Sequence, residues 1–404
     1  MAEVLLSIKG AEVRRGMSTV LSSFDFTLDK HQIVVLHGEN GAGKSTLIET
    51  AARLLPLEKG SVEHHGALVH HADGRRFNPI HSFGLTLQSN GVIGSETVQE
   101  HLQTVALFAG KELELHPLLD AYGLQHRAND AIANLSGGQA RKVSVLAGLL
   151  PAMVASDPCL VLLDEPDAGL DDAALEVLME HITSLAAFGH AFLIASHNAA
   201  VASIATHLHD LKTQTKATTN PASPWKTIGQ ITTKKPSPTR VGHRYVASTR
   251  SGTARNGITA LLVLGCLLAL GDPSNLPSGL WTTGAVLAPA FAAGLAGDPT
   301  THLMQEARAG DWWRAQSQRV PAARGLGLAI GALFTALSSY VAVGTMDLGC
   351  VMIGALVCEF TMTGVRLLHS AIQRLARPNA VFIRLLLPAF ILPWALIVSW
   401  ASGL

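Results

Sequence analysis

Gly38-Glu39-Asn40-Gly41-Ala42-Gly43-Lys44-Ser45-Thr46 follows the apolar run Val34-Val35-Leu36, with His37 between the two. The run reads as a buried parallel strand entering a glycine turn. The nine residues after it fit GxxxxGK[ST]. Glycines at Gly38, Gly41 and Gly43 let backbone N–H groups curl around a phosphate, with Asn40 and Thr46 in the same loop. The helix that follows points its positive end at the same anion. Lys44 can reach the β- and γ-phosphates of a nucleotide, and the Ser45 hydroxyl can ligate Mg²⁺. Working outward, apolar strand-like runs alternate with amphipathic helical stretches from about 37 to 212, the pattern of an α/β fold. The last strand candidates are Ala191–Ala195 and roughly His207–Lys212.

Two further stretches belong with that loop. Leu160-Val161-Leu162-Leu163-Asp164-Glu165 is a buried strand ending in two carboxylates. Asp164 is placed to hold Mg²⁺ through water, and Glu165 to orient or deprotonate an attacking water. Leu135-Ser136-Gly137-Gly138-Gln139 precedes a helical stretch from Ala140 and offers a hydroxyl and glycine N–H groups at a helix start.

With LSGGQ lying between the loop and the Asp-Glu strand, the first 212 residues resemble the ATP-binding cassette (ABC) family. The resemblance implies ATP with Mg²⁺ as cofactors. It also implies a second ABC chain, because two cassettes meet head to tail and Ser136, Gly137, Gly138 and Gln139 of one contact the nucleotide bound by the other. Gln88, in Thr86-Leu87-Gln88-Ser89, resembles the Q-loop glutamine that touches the metal. The metal set is therefore Ser45, Gln88 and Asp164. Ala168-Gly169-Leu170-Asp171 resembles the D-loop that crosses the dimer interface. His197, after Phe192-Leu193-Ile194-Ala195-Ser196, resembles the switch histidine that contacts the γ-phosphate and joins Glu165 as a catalytic candidate.

Two departures stand out. Where the family carries an aromatic residue against the adenine, this chain has Arg15, whose guanidinium can also stack on a base. The cassette also ends soon after Lys212. His64, His65, His70 and His71 form two pairs around Gly66. No nearby Cys supports a metal there, and the family has a variable surface hairpin in this region, so they read as hairpin residues. The four cysteines form no CxxC pair and no disulfide framework.

The net charge of zero points to no nucleic-acid partner, but it averages two unlike halves. Residues 257–404 contain no Lys and eight Arg, and the mean hydropathy of the chain is +0.30. That is too apolar for a wholly soluble protein. Residues 211–256 hold nine Lys or Arg and no acid. They read as a basic linker, either facing anionic lipid or simply solvated. Five apolar segments follow, near 255–271, 279–297, 325–344, 348–367 and 382–401, each about long enough for a hydrocarbon core of roughly 30 Å. The predicted inner loops carry Arg308, Arg314, Arg319, Arg324, Arg374 and Arg377, whereas the outer loops near 272–278 and 345–347 carry no Lys or Arg. That asymmetry places the cassette in the cytoplasm of a multi-pass chain in the inner or plasma membrane. The N-terminus shows no signal-peptide core.

The fold class is thus an α/β P-loop NTPase of the ABC-cassette type followed by an all-α transmembrane bundle. The expected domains are a cassette at 1–212, a linker at 213–254 and about five helices at 255–404. The inner-loop stretch Met304–Arg314 reads as an amphipathic helix, either a coupling helix on the cassette or a membrane-surface helix anchored by Trp312 and Trp313. Glu359, an acid deep inside a span, is expected to face protein, water or a charge, with Arg366 two turns along. The expected function is an ATP hydrolase coupled to transport, exporting a hydrophobic or amphipathic small molecule or lipid. Import, or mechanical signalling without transport, are the other readings. Five spans call for at least two membrane chains, as a homodimer or with a heteromeric permease.

Overall fold

The computed structural model describes residues 3–39, 41–219, 233–234, 250–270, 280–300, 308–316, 325–372 and 391–401. Asn40, most of the basic linker, the loop near 272–278, and Arg319, Arg324, Arg374 and Arg377 lie outside the described residues. The chain forms two compact units, Met1–Arg244 with Leu303–Val320, and Tyr245–His302 with Pro321–Leu404.

The first unit opens with β1 (Val4–Arg15), β2 (Ser18–Asp29), β3 (Ile33–His37) and α1 (Lys44–Ala51). Next come β4 (Lys59–His64), β5 (Ala67–His71), β6 (Gly84–Thr86), α2 (Val98–Phe108), β7 (Glu112–Leu113) and α3 (His116–Ala121). Then follow α4 (Gly137–Val154), β8 (Leu160–Asp164), α5 (Asp172–Ala187), β9 (Ala191–Ala195) and α6 (Ala199–Ser203). Three strands, β10 (His207–Asp210), β11 (Thr215–Thr218) and β12 (Thr233–Lys234), complete the run. The second unit holds α7 (Arg250–Leu270) and α8 (Leu280–Leu295). The chain returns to the first unit for α9 (Ala309–Gln316), and the second unit resumes with α10 (Leu326–Val343), α11 (Leu348–Ile372) and α12 (Ile391–Ala401).

The main sheet has the order β11-β10-β3-β9-β8-β6. From β10 to β6 every pairing is parallel, and β11 closes one edge antiparallel to β10. β8 and β9 are buried at every position, which is why each reads as an unbroken apolar run. β11 extends this sheet to Thr218, past Lys212, where the sequence places the last strand. Its Thr-rich sequence, three of its four residues exposed, carries no apolar signal. A second sheet, antiparallel in the order β2-β1-β4-β5, completes the first unit with the small pair β12-β7.

The β4–β5 hairpin is more buried than its sequence suggests. His64 lies in the core: its Nε2 donates to the Ala51 carbonyl at 2.8 Å, and its ring meets Phe83 edge-on. His70 faces Arg76, while His65 packs on His81. The four rings go to separate partners, two of them in the interior rather than on a surface turn.

In the second unit, three helices among the described residues are long and apolar enough to cross a membrane, over Gly252–Ala269, Leu326–Val343 and Leu348–Leu368. Thr282–Leu295 is a shorter apolar helix, and the segment expected at 382–401 is described only from Ile391. Small residues let these helices meet closely. A Cβ on Gly331 would lie 2.5 Å from the Gly354 carbonyl, and one on Gly294 would lie 2.8 Å from that of Cys358. Glu359 lies midway along α11 and faces protein, with its Oε2 buried and without a hydrogen-bond partner among the described residues. Its Oε1 accepts the backbone N–H of Gly325, the N-cap of α10, at 3.2 Å, so the carboxylate sits at a helix end where the dipole favours it. Arg366 is paired with buried Asp298 at 3.1 Å rather than with Glu359.

Candidate functional site

The parallel order β3-β9-β8-β6 aligns four strand ends. After β3 comes the glycine loop, after β9 His197, after β8 Glu165, and after β6 Gln88. Ligand sites in open parallel sheets lie outside such carboxyl ends. Sequence motifs more than a hundred residues apart thus converge on one side of the sheet.

At the loop, Gly43 has φ 100, and a Cβ there would meet Val20 at 2.7 Å, so a glycine is required. Lys44 is 7% exposed and donates to the carbonyls of Gly38 at 2.6 Å and Glu39 at 3.1 Å. Burial pulls its ammonium below the ordinary range, against the pull of Glu165 and Asp164. Thr46 is buried within α1.

Ser45 Oγ donates to Asp164 Oδ1 at 3.0 Å. Asp164 is 1% exposed, and burial lifts its carboxyl to about 6 against the Ser45 hydrogen bond. Its Oδ2 is buried with no hydrogen-bond partner among the described residues. An orphaned carboxylate oxygen beside a hydroxyl is an all-oxygen donor set that suits a hard divalent cation such as Mg²⁺. Gln88 Nε2 reaches Glu165 Oε2 at 3.4 Å. The structure therefore brings Lys44, Ser45, Asp164, Glu165 and Gln88 into one cluster.

Glu165 has φ 49, a left-handed conformation that a non-glycine residue holds only when its surroundings impose it. Arg141 supplies much of that constraint. Its guanidinium donates to the carbonyls of Asp164 at 2.5 Å, Glu165 at 2.6 Å and Leu87 at 2.8 Å, and to Asn90 Oδ1 at 3.0 Å. One residue from α4 thereby fixes the ends of β8 and β6. The sequence reading does not single it out, although its place two residues beyond LSGGQ was visible.

His197 is exposed, and its neighbour Ser196 donates to Asp167 at 2.7 Å. Ser136 caps α4, accepting from Gln139 N at 3.3 Å while Gln139 Oε1 accepts from Ser136 N at 3.1 Å. Gly137 is exposed, with nothing within 4 Å of a Cβ built on it. A Cβ on Gly138 would lie 2.8 Å from the Gly169 carbonyl, which ties the signature to the 168–171 turn. Asp171 caps α5 through Ala174 N at 2.9 Å and takes Lys142 Nζ at 2.6 Å, which holds its carboxyl below the usual range. Arg15 is not brought to this cluster by any described hydrogen bond. Its Nη2 lies 2.5 Å from Glu49 Oε2, and its side chain is 45% exposed.

The seat of α9 is part of this unit. Trp312 is 4% exposed, within 3.4 Å of a Cβ built on Gly91 and edge-on to Phe108, as is Trp313. Gln316 Nε2 donates to the Phe83 carbonyl at 2.6 Å. Arg53, 2% exposed and at φ 56, donates to the carbonyls of Phe77, Arg314 and Ala315. The Trp pair thus meets cassette residues, of which Gly91 lies three positions beyond Gln88.

A phosphate loop, a carboxylate pair two strands away and an open signature turn together define an ATP-binding cassette. The family model described as ABC transporter matches residues 21–168. The chain is 32% identical over 204 residues to the ABC-type transporter ATP-binding protein EcsA of Bacillus subtilis, covering 49% of this chain and 79% of that protein. It is 37% identical over 199 residues to the cytochrome c biogenesis ATP-binding export protein CcmA of Bordetella parapertussis, covering 48% and 84%. It is 32% identical over 187 residues to the Fe(3+) ions import ATP-binding protein FbpC of Streptomyces avermitilis, covering 45% of this chain and about half, 52%, of that protein. The chain belongs to the ABC transporter family. Cassettes of this family bind ATP, usually with Mg²⁺, and work as dimers or with permease partners. Their relatives include both exporters and importers.

Proposed function

We propose that this chain is an ATP-hydrolysing transporter subunit that joins an N-terminal cassette, whose sheet runs on to Thr218, through a basic linker to a membrane domain made of the apolar helices of the second unit. The observation that carries the reading is the cluster of Lys44, Ser45, Asp164, Glu165 and Gln88 in a chain that also bears apolar helices of membrane-spanning length.

In this reading the N–H groups of the loop from Gly38 to Thr46, with Lys44, hold the ATP phosphates. Ser45, Asp164 and Gln88 would hold Mg²⁺, which when bound neutralises charge on the phosphoryl oxygens. Glu165 orients the attacking water and accepts its proton, and His197 meets the γ-phosphate. Arg15 lies against the base. Ser136, Gly137, Gly138 and Gln139 of a second cassette close over the same phosphates, with Asp171 at the contact. Because every motif is present in one chain, two copies supply two complete sites, and a heteromeric permease is the other partner arrangement. Helix α9 passes the closing motion to the membrane helices between which it lies in sequence.

Fusion of cassette and membrane helices favours export, and the scarcity of charge in those helices favours hydrophobic or amphipathic cargo. The test of the chemistry is ATP turnover by the purified full chain in lipid, against Glu165→Gln. General-base catalysis contributes about 10²–10⁴-fold, so the variant is expected to lose at least ~100-fold in turnover while still binding ATP. Equal turnover in both would remove Glu165 from the role.

A further inference from the structure

Glu49 stands in the last turn of α1, the helix that begins with Lys44, and is 3% exposed. Its two carboxylate oxygens serve two different segments. Oε2 takes Arg15, at the end of β1, at 2.5 Å. Oε1 takes Arg308, the residue immediately before α9, and Arg308 also donates to Asp311 Oδ2 at 2.6 Å. Four residues beyond Glu49, Arg53 holds the carbonyls of Arg314 at 3.1 Å and Ala315 at 3.2 Å. Those carbonyls belong to the last turn of α9, where no later helical N–H exists to meet them. Helix α9 is therefore held at its start by Glu49 and at its end by Arg53, both from one end of α1.

We propose that Glu49 is a shared anchor that links nucleotide-base contact at Arg15 to the seating of α9. The inference rests on the assignment of Arg15 to the base made above. A buried carboxylate between two guanidiniums divides its hydrogen bonding between them. When Arg15 turns to stack on a base, Arg308 remains to compensate Glu49, so the departure of Arg15 costs little. Without Arg308, the carboxylate keeps Arg15 as its remaining guanidinium partner among the described residues and competes with the base for it. Linkage then works in both directions: base contact tightens the hold of Glu49 on Arg308, and a seated α9 favours nucleotide binding.

The test is ADP binding by the full chain in lipid nanodiscs, measured by calorimetry. Arg308→Ala is expected to weaken ADP binding about fivefold, the lower end of coupling between linked sites. Arg308→Lys keeps the charge and is expected to bind ADP as the unaltered chain does. Arg15→Ala should weaken binding, and adding Arg308→Ala to it should weaken it no further, because the two act through one carboxylate. Hydrogen exchange of the α9 amides should slow with ADP in the unaltered chain and not in Glu49→Gln. If Arg15→Ala weakens binding but Arg308→Ala does not, or the two losses multiply, the linkage is wrong and the base contact stands. If Arg15→Ala binds ADP normally, the base contact fails and the linkage fails with it. Neither outcome touches Glu165, which the turnover experiment judges separately.

Discussion

Glu165 and Arg141 show how single residues carry the site. A glutamate at φ 49 is held by a guanidinium that bridges its own carbonyl, that of Asp164, and that of Leu87 beside Gln88. Buried titratable groups elsewhere in the unit act through the same desolvation. His181, 3% exposed and stacked on Tyr122 with Nδ1 at 3.1 Å from its hydroxyl, is pushed down to about 4 by burial. Between its ordinary value of 6.5 and about 4, the unfolded chain takes up a proton that the folded chain refuses. Stability is therefore lost as pH falls through that window, by about 2 kcal/mol at pH 5 for one such group. His64 and His190, lowered to about 4 by the same cause, add to the loss. In urea unfolding of the full chain at pH 7 and pH 5, His181→Gln is expected to shrink the difference by about 2 kcal/mol. An unchanged difference would mean that His181 accepts a proton in the folded state.

At the scale of elements, the position of Gln88 depends on how closely α4 lies against β6. A Cβ on Gly148 would stand 2.1 Å from Thr86 Oγ1, and one on Gly84 would stand 2.1 Å from the Gly148 carbonyl. Gly148→Ala forces these elements apart and is expected to cost about 1–3 kcal/mol, read as a lower urea midpoint. A midpoint equal to that of the unaltered chain would show that the contact yields freely. These packing glycines also mark how far the sequence could be read. Strand–loop–helix at 34–46, the carboxylates closing β8 and the cap at Ser136 each follow from local pattern, since hydropathy period and capping residues are short-range signals. Helix α9 carried its Trp pair openly, but whether those rings meet a membrane or the cassette depends on Arg53 and Phe83, more than 200 positions earlier in the chain. The bonds of Arg53 to Ala315 and of Gln316 to Phe83 span 262 and 233 residues. No local window contains such pairs. Glu359 is a second case: hydropathy places it inside an apolar run, and the group that meets its carboxylate, the Gly325 N–H, comes from the neighbouring helix.

For the whole molecule, the proposed function requires a composite nucleotide site. In the proposed pairing, the loop at Lys44 belongs to one copy and the open turn at Gly137 to a second. Symmetric pairing of two copies makes two such sites at once. The direct test mixes two inactive full-length variants in lipid. Lys44→Ala removes the phosphate-binding ammonium. Gly137→Asp puts a negative charge where the phosphates of the partner's ATP arrive, and it fits without a clash because a Cβ there meets nothing within 4 Å. Each variant alone is expected to be inactive. Mixed in equal amounts, half the pairs contain one of each, and every mixed pair has one intact site. Turnover is therefore expected to recover to roughly a quarter of that of the unaltered chain. No recovery, from variants that each still fold and mix while the unaltered chain turns over, would contradict a site shared between two copies.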